Sequence, residues 1–130
     1  MNINEEFFLD LTKKLLNCID KLDWEGYLSL TDENLSCIEP ETGNKIVLGL
    51  DFHKSFFTIE NIPPNTTFTS IISDPHFKIF GNIACVSYYR VLAIHEGLAD
   101  IPMSRATTET RIWNFSEQTN SWKQVHFHKS

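Results

Sequence analysis

Between Asn4 and Leu22 the apolar positions fall at Phe7, Phe8, Leu11, Leu15, Leu16, Cys18, Ile19 and Leu22. Steps of three and four residues gather them on one side of a helix. Glu5 and Glu6 stand in its first turn, where the helix dipole favours negative charge. The pattern predicts one long amphipathic helix, followed by a short one carrying Trp24, Tyr27 and Leu28 with Asp23 as its cap. The spacing then changes. A short strand is expected up to Ile38, a turn at Pro40 and Gly43-Asn44, and a returning strand over Ile46 to Leu48. Gly49 opens LDFHKSFFTIE, read as a third helix that buries Phe52, Phe56 and Ile59 and is ended by Pro63-Pro64-Asn65.

From Thr66 onward the apolar positions alternate with polar ones, the period of a strand with one face buried. Thr66 to Ser73 forms one strand, Asp74-Pro75 interrupts, and His76 to Phe80 follows. Gly81-Asn82 is a tight hairpin turn. Ile83 to Ile94 and Met103 to Phe115 are long strands separated by a turn over Glu96 to Asp100. Trp122 to Lys129 closes the chain after a turn from Glu117 to Ser121. Helices first and an antiparallel meander second give an α+β class, one long and two short helices on one face of a strongly curved sheet. Such a cone holds a pocket between sheet and helices, and 130 residues form a single domain, 1–130.

Composition narrows the function. The net charge is −6 and the arginines are only Arg90, Arg105 and Arg111, so no basic footprint for nucleic acid is present. No apolar run reaches membrane-spanning length, and no membrane partner is expected. Cys18, Cys37 and Cys85 are odd in number and lack CxxC spacing, which suits buried thiols in a reducing, cytoplasmic compartment. No cofactor motif stands out. His126 and His128 put two imidazoles on one strand face, but zinc takes three or four ligands, and His76 and Cys85 on other strands offer no spacing that completes a set. No metal site is therefore assigned.

The alternation places cations in unusual company. Arg90 shares its strand face with Ala84, Val86 and Tyr88; Arg111 with Trp113 and Phe115; Lys129 with Val125 and Phe127. An unpaired buried charge is costly. Each cation can pair with a local carboxylate such as Glu109 or reach water at a strand end. If the shared face is the concave one, all three converge on the pocket mouth and form an anion-binding site for a carboxylate or phosphate. The opposite face carries Ile83, Cys85, Ser87, Tyr89 and Val91, with Ile112 beside Thr110. That much apolar surface is expected to be covered by another subunit.

The segments LGLDFHKSFF, DPHFKIFG, ACVSYYR, TTETRIW and WKQVHFHKS occur in this order. Together, with IEPETGN after the second helix, the chain resembles the association (hub) domain of calcium/calmodulin-dependent protein kinase II over nearly its whole length. The resemblance implies a cone-shaped nuclear-transport-factor-2-like fold and homo-oligomers in which dimers form two stacked rings, hexameric or heptameric. It implies a non-catalytic hub that gathers the subunits of a calmodulin-binding serine/threonine kinase for phosphorylation in trans. It also implies a pocket for small carboxylates, whose basic residues fall here on His53, Arg90, Arg111 and Lys129. Lys129 stands where the family has arginine, keeping the charge and losing the bidentate fork. Asn61 stands where some relatives have a mobile tryptophan, so no closing lid is expected. Neither a glycine-rich phosphate loop nor HRD nor DFG is present.

The alternative is a small-molecule isomerase, cyclase or dehydratase on the same cone, since fold alone does not settle function. It would need an acid/base pair in the pocket, and the candidates are Asp51 and His53 with His126 or His128. Asp51 and His53 are two apart on a helix and do not face each other.

Overall fold

The computed structural model describes residues 3–58, 65–97 and 103–130. Helix α1 (Ile3–Asp20) is the long amphipathic helix, with Phe8, Leu15 and Leu16 fully enclosed. Thr12 lies on the same face. Its hydroxyl donates to the Phe8 carbonyl at 2.8 Å and accepts the Trp113 indole N–H at 3.3 Å, which ties the helix to the sheet. Leu22 turns the chain with a positive φ of 53°. Asp23 then caps α2 (Trp24–Ser29) by accepting the Gly26 N–H at 3.0 Å.

Six strands follow in one sheet: β1 (Thr31–Ile38), β2 (Ile46–Leu48), β3 (Thr67–Phe80), β4 (Ile83–His95), β5 (Met103–Ser116) and β6 (Ser121–Lys129). A 3-10 turn over Pro40–Thr42 precedes β2, and α3 (Asp51–Phe57) precedes β3. The spatial order is β2-β1-β6-β5-β4-β3. The meander β3 to β6 is antiparallel as expected, whereas β1 lies parallel to β6. Alternation within a strand says which face a residue takes but not which strand lies beside it, so that pairing was not legible.

Ala84, Val86, Tyr88 and Trp113 of the sheet pack with Phe8, Leu15, Leu16 and Tyr27 of the helices in the main core. A second, smaller group of Leu35, Cys37 and Phe127 lies beneath Leu50 at the start of α3. A run of rings joins the two: Tyr27 to Phe57 at 4.9 Å, Tyr27 to His53 at 6.2 Å and His53 to Phe127 at 5.4 Å between centroids.

Several local expectations are corrected. Helix α3 buries His53 and Phe57; Phe52 is half-buried and Phe56 exposed, because the inward stripe runs through 53 and 57, four residues apart. Ile59 and Asn61, the Pro63-Pro64 stop and the last residues of the 96–100 turn lie outside the described residues. Asp74-Pro75 does not break the strand. β3 runs through it with a register shift between Ser73 and His76, a bulge that accommodates the proline's missing N–H. A second bulge sits where Ile112 pairs with His126 and Trp113 with Gln124. It leaves Val125 out of the ladder, so Gln124, not Val125, shares the buried face with Phe127. Of the three thiols, Cys18 and Cys37 are buried and Cys85 is half-exposed.

Gly26 shows how tightly α2 is seated. A Cβ there would meet Cys18 Sγ at 2.7 Å and the capping carboxylate of Asp23 closer still. Alanine normally favours a helix over glycine by about 1 kcal/mol, yet Gly26→Ala must displace the cap, a loss of similar size, and crowd a buried thiol. We expect a net loss of about 1 kcal/mol or more in chemical denaturation; a more stable variant would contradict this packing.

Candidate functional site

A pocket of about 720 Å³ opens between the concave sheet face and the helices. His53, Arg90, Arg111 and Lys129 all line it. Strand alternation therefore placed three cations on three neighbouring strands that face one pocket, and the histidine reaches that pocket from α3.

Glu109 stands at the centre, fully buried on β5 opposite Tyr88 of β4. Its Oε1 accepts from the Tyr88 hydroxyl at 2.7 Å and Arg111 Nη2 at 3.0 Å. Its Oε2 accepts from Arg90 Nη1 at 3.2 Å and the Thr107 hydroxyl at 3.3 Å. Arg90 continues outward, donating from Nη2 to Asp20 Oδ1 at 3.0 Å and from Nε to the Ser70 hydroxyl at 2.8 Å. Arg111 donates from Nε to the Tyr88 oxygen at 2.9 Å and from Nη1 to Gln124 Oε1 at 2.9 Å. Its guanidinium also lies 4.6 Å from the Phe127 ring centroid, a cation–π contact. Lys129 donates to Glu41 Oε1 at 2.7 Å nearer the surface.

Both readings of the cations therefore hold together: they converge on the pocket, and carboxylates pair with each of them. Burial alone would raise the Glu109 pKa, but the Arg111 and Arg90 charges and the Tyr88 hydrogen bond hold it at about 2. Burial pushes the Tyr88 phenol well above its ordinary range, so it stays a neutral donor at physiological pH. Asp20, Gln124 and Glu41 were missed from the sequence. Asp20 and Glu41 come from distant segments, and Gln124 was hidden by the bulge at Val125. Arg105, left unassigned by the sequence, is exposed and lines the same pocket.

His53 faces a different set of neighbours. Its Nε2 is 3.6 Å from Cys37 Sγ and 3.5 Å from Glu39 Oε2. Glu39 Oε2 and His53 Nδ1 are buried without a hydrogen-bond partner. Burial opposes ionisation of Glu39, yet His53 and the Lys129 charge hold its carboxyl below the ordinary value. Burial, and then the Glu39 charge, push the Cys37 thiol up to about 12.

The acid/base candidates do not assemble. Asp51 is exposed while His53 is buried. His126 Nδ1 is bonded to the Ser36 hydroxyl at 2.7 Å, a tie between β6 and β1, and His128 is exposed on the outer face.

Helices laid over one face of a six-stranded sheet, with a pocket between, define the cone of nuclear-transport-factor-2-like proteins. A solved protein of that type from Cytophaga hutchinsonii superposes with a TM-score of 0.74 at 20% identity, over 100% of this chain and 98% of its own. At that identity the likeness shows the fold alone. The family model described as calcium/calmodulin dependent protein kinase II association domain matches residues 4–130, and the chain belongs to that family. It is 32% identical over 123 residues to the delta subunit of the type II kinase of Oryctolagus cuniculus, covering 94% of this chain and 22% of that protein. It also matches the kinase hub homology domain of Chlamydomonas reinhardtii, with a TM-score of 0.84, 32% identity, and coverage of 95% of this chain and 94% of that one. The chain spans about a fifth of the length of the curated relatives it matches. The association domain is the non-catalytic part of such kinases, and membership gives this chain an oligomerisation role.

Glu109 ionises at lower pH in the folded chain, near 2, than at its ordinary value of 4.5. Its charge therefore stabilises the fold at neutral pH, and that contribution fades as pH falls from about 4.5 towards 2. Denaturation midpoints should drop through this window. Glu109→Gln, which leaves the buried Arg111 without its anion and Arg90 with Asp20 alone, should cost about 3–5 kcal/mol at pH 7. Stability that stays constant down to pH 3 would refute the assignment.

Proposed function

We propose that this chain self-assembles into two stacked rings of dimers and thereby gathers calcium/calmodulin-dependent kinase subunits, so that neighbours phosphorylate one another in trans. The observation that supports it is the outer face of the sheet in a chain of the association-domain family. Ile71, Phe80, Ile83 and Tyr89 are exposed there, and the ladder sets Ile71 beside Val91, Phe80 beside Ile83, and Cys85 beside Ile112. Exposed apolar side chains in this number on one sheet face favour burial against a partner, and a second copy of the chain satisfies them with closed symmetry. Gathering kinases on one ring raises their effective concentration towards each other without any new contact. A cytoplasmic setting accords with three free thiols. Among the described residues, no helix is long and apolar enough to cross a membrane.

Native mass spectrometry of the chain, 15.0 kDa each, should show twelve or fourteen copies. Tyr89→Asp, on the exposed outer face, should shift the mass to smaller species while leaving the monomer fold intact by circular dichroism. A wild-type chain that stays monomeric at micromolar concentration would reject the hub reading.

The pocket supports a second, narrower reading, the binding of a small carboxylate at its basic wall. Arg90 and Arg111 are committed to Glu109, so the cations open to such a ligand are Arg105 at the rim and Lys129, whose partner Glu41 is 40% exposed. Short-chain carboxylates should raise the melting temperature, and Arg105→Ala should reduce that rise severalfold without lowering the ligand-free value. No shift with any small carboxylate would dismiss this reading. Arg111→Ala is a poor probe, because removing one member of a buried ion cluster destabilises the fold by itself.

A further inference from the structure

Cys37, Glu39 and His53 make a group that the ion cluster around Glu109 does not use. Cys37 lies near the end of β1, and the chain stays extended through Glu39 (φ −155°, ψ 161°), so their side chains leave on the same side. His53 meets them from α3. All three are buried: Cys37 is 0% exposed, Glu39 7% and His53 7%. One ligand atom from each lies within 4.8 Å of the others.

The Cys37–His53 contact is a long sulfur hydrogen bond and the His53–Glu39 contact an ion pair, and both spacings are also those of ligands around one ion. A tetrahedral zinc with ordinary bond lengths separates a sulfur from an imidazole nitrogen by about 3.5 Å, and a nitrogen from a carboxylate oxygen by about 3.3 Å. The observed separations are 3.6 Å for Cys37 Sγ to His53 Nε2 and 3.5 Å for His53 Nε2 to Glu39 Oε2. Glu39 Oε2 is a buried oxygen with no partner inside hydrogen-bond geometry, its ion-pair contact with His53 Nε2 being 3.5 Å long. Such an atom is expensive to leave unpartnered. Lys129 acts on it only through its field, since its ammonium is bonded to Glu41.

We propose that Cys37, Glu39 and His53 bind a zinc ion through Sγ, Oε2 and Nε2, with the fourth coordination position turned to the pocket. Glu39 and His53 line that pocket, which leaves room for an exchangeable water or anionic ligand. A thiolate, a carboxylate and a neutral imidazole balance the charge of a divalent ion, and the Cys37 proton leaves to solvent as the ion enters. Sulfur and imidazole donors select zinc over calcium or magnesium, which take oxygen ligands. His53 Nδ1 has no acceptor among the described residues, so the ring lacks the supporting hydrogen bond that strengthens many zinc histidines. The affinity is accordingly lower than that of a four-ligand structural site.

The test uses tag-free, chelator-treated chain titrated with Co2+ and, against a chromophoric chelator, with Zn2+. The expected result is one ion per chain, intense visible bands of four-coordinate cobalt and a thiolate-to-cobalt charge-transfer band in the near ultraviolet. Cys37→Ala should abolish that band and weaken Zn2+ binding about tenfold or more, while Cys85→Ser, on the other sheet face, changes neither. Absence of uptake at tenfold excess of either ion overturns the proposal. So does a wild-type cobalt complex without the thiolate band, or wild-type affinity in Cys37→Ala. If Cys37→Ala does not fold, the wild-type spectrum decides alone. Ring mass is read separately, so failure here leaves the hub reading intact.

Discussion

The concave face depends on one carboxylate. Glu109 takes hydrogen bonds from two buried arginines and from Tyr88, and through Arg90 it reaches Asp20 at the end of α1. Two guanidinium groups against two carboxylates leave the cluster neutral, which is the condition for keeping four charges out of water. The geometry also fixes the architecture. Tyr88 and Glu109 sit opposite each other on β4 and β5, Gln124 draws in β6 and its own amide reaches Thr31 of β1, and Asp20 holds the helix. Remove the anion and the repulsion between Arg90 and Arg111 acts at once on four strands and the long helix.

That neutrality changes what the pocket can do. A count of cations on the concave face suggests a strong anion receptor. Most of that charge is already spent on internal partners, and an incoming carboxylate would compete with Glu109 and Asp20 on geometry that is already satisfied. What is left for a ligand lies at the rim, with Arg105 and with Lys129, whose partner Glu41 is exposed. Lys129 acts in the same direction, since it gives a point charge where the planar fork of an arginine would grip two oxygens.

Much of this was legible in the sequence because strand alternation is a strict period. It put Arg90 with Ala84, Val86 and Tyr88, Arg111 with Trp113, and Lys129 with Phe127, and all of these share the concave side. It also brought Glu109 forward as a partner. The rule failed where the ladder is irregular. At Val125 the bulge shifts parity, so Val125 was assigned to the face that Gln124 takes, and at Asp74-Pro75 a bulge was taken for a break. It was silent on contacts between distant segments: β1 beside β6, Asp20 beneath Arg90, Glu39 and Cys37 against His53. Helix α3 was misread because three phenylalanines in a short helix outweighed a histidine, although the stripe that faces inward is the one through His53 and Phe57.

The same period that makes the pocket also makes the outer face. Tyr88 and Arg90 point into the cone, while Tyr89 and Val91, their neighbours in sequence, point out of it. The two faces have opposite characters. The inner one joins an apolar core to a closed cluster of paired charges; the outer one exposes apolar side chains among polar ones. Side-chain chemistry on one face is set independently of the other, since Glu109, Arg111 and Lys129 face the pocket side while Ile71, Ile83 and Tyr89 face outward. Mechanically the faces are not separate. A ligand that pulls on the Arg90–Glu109–Arg111 cluster acts on β4 and β5 themselves, and those strands carry the outer stripe on their backs. A ligand that engages the buried cluster thus has a direct path to the outer stripe through these two strands, whereas one held at the rim by Arg105 or Lys129 does not touch that cluster.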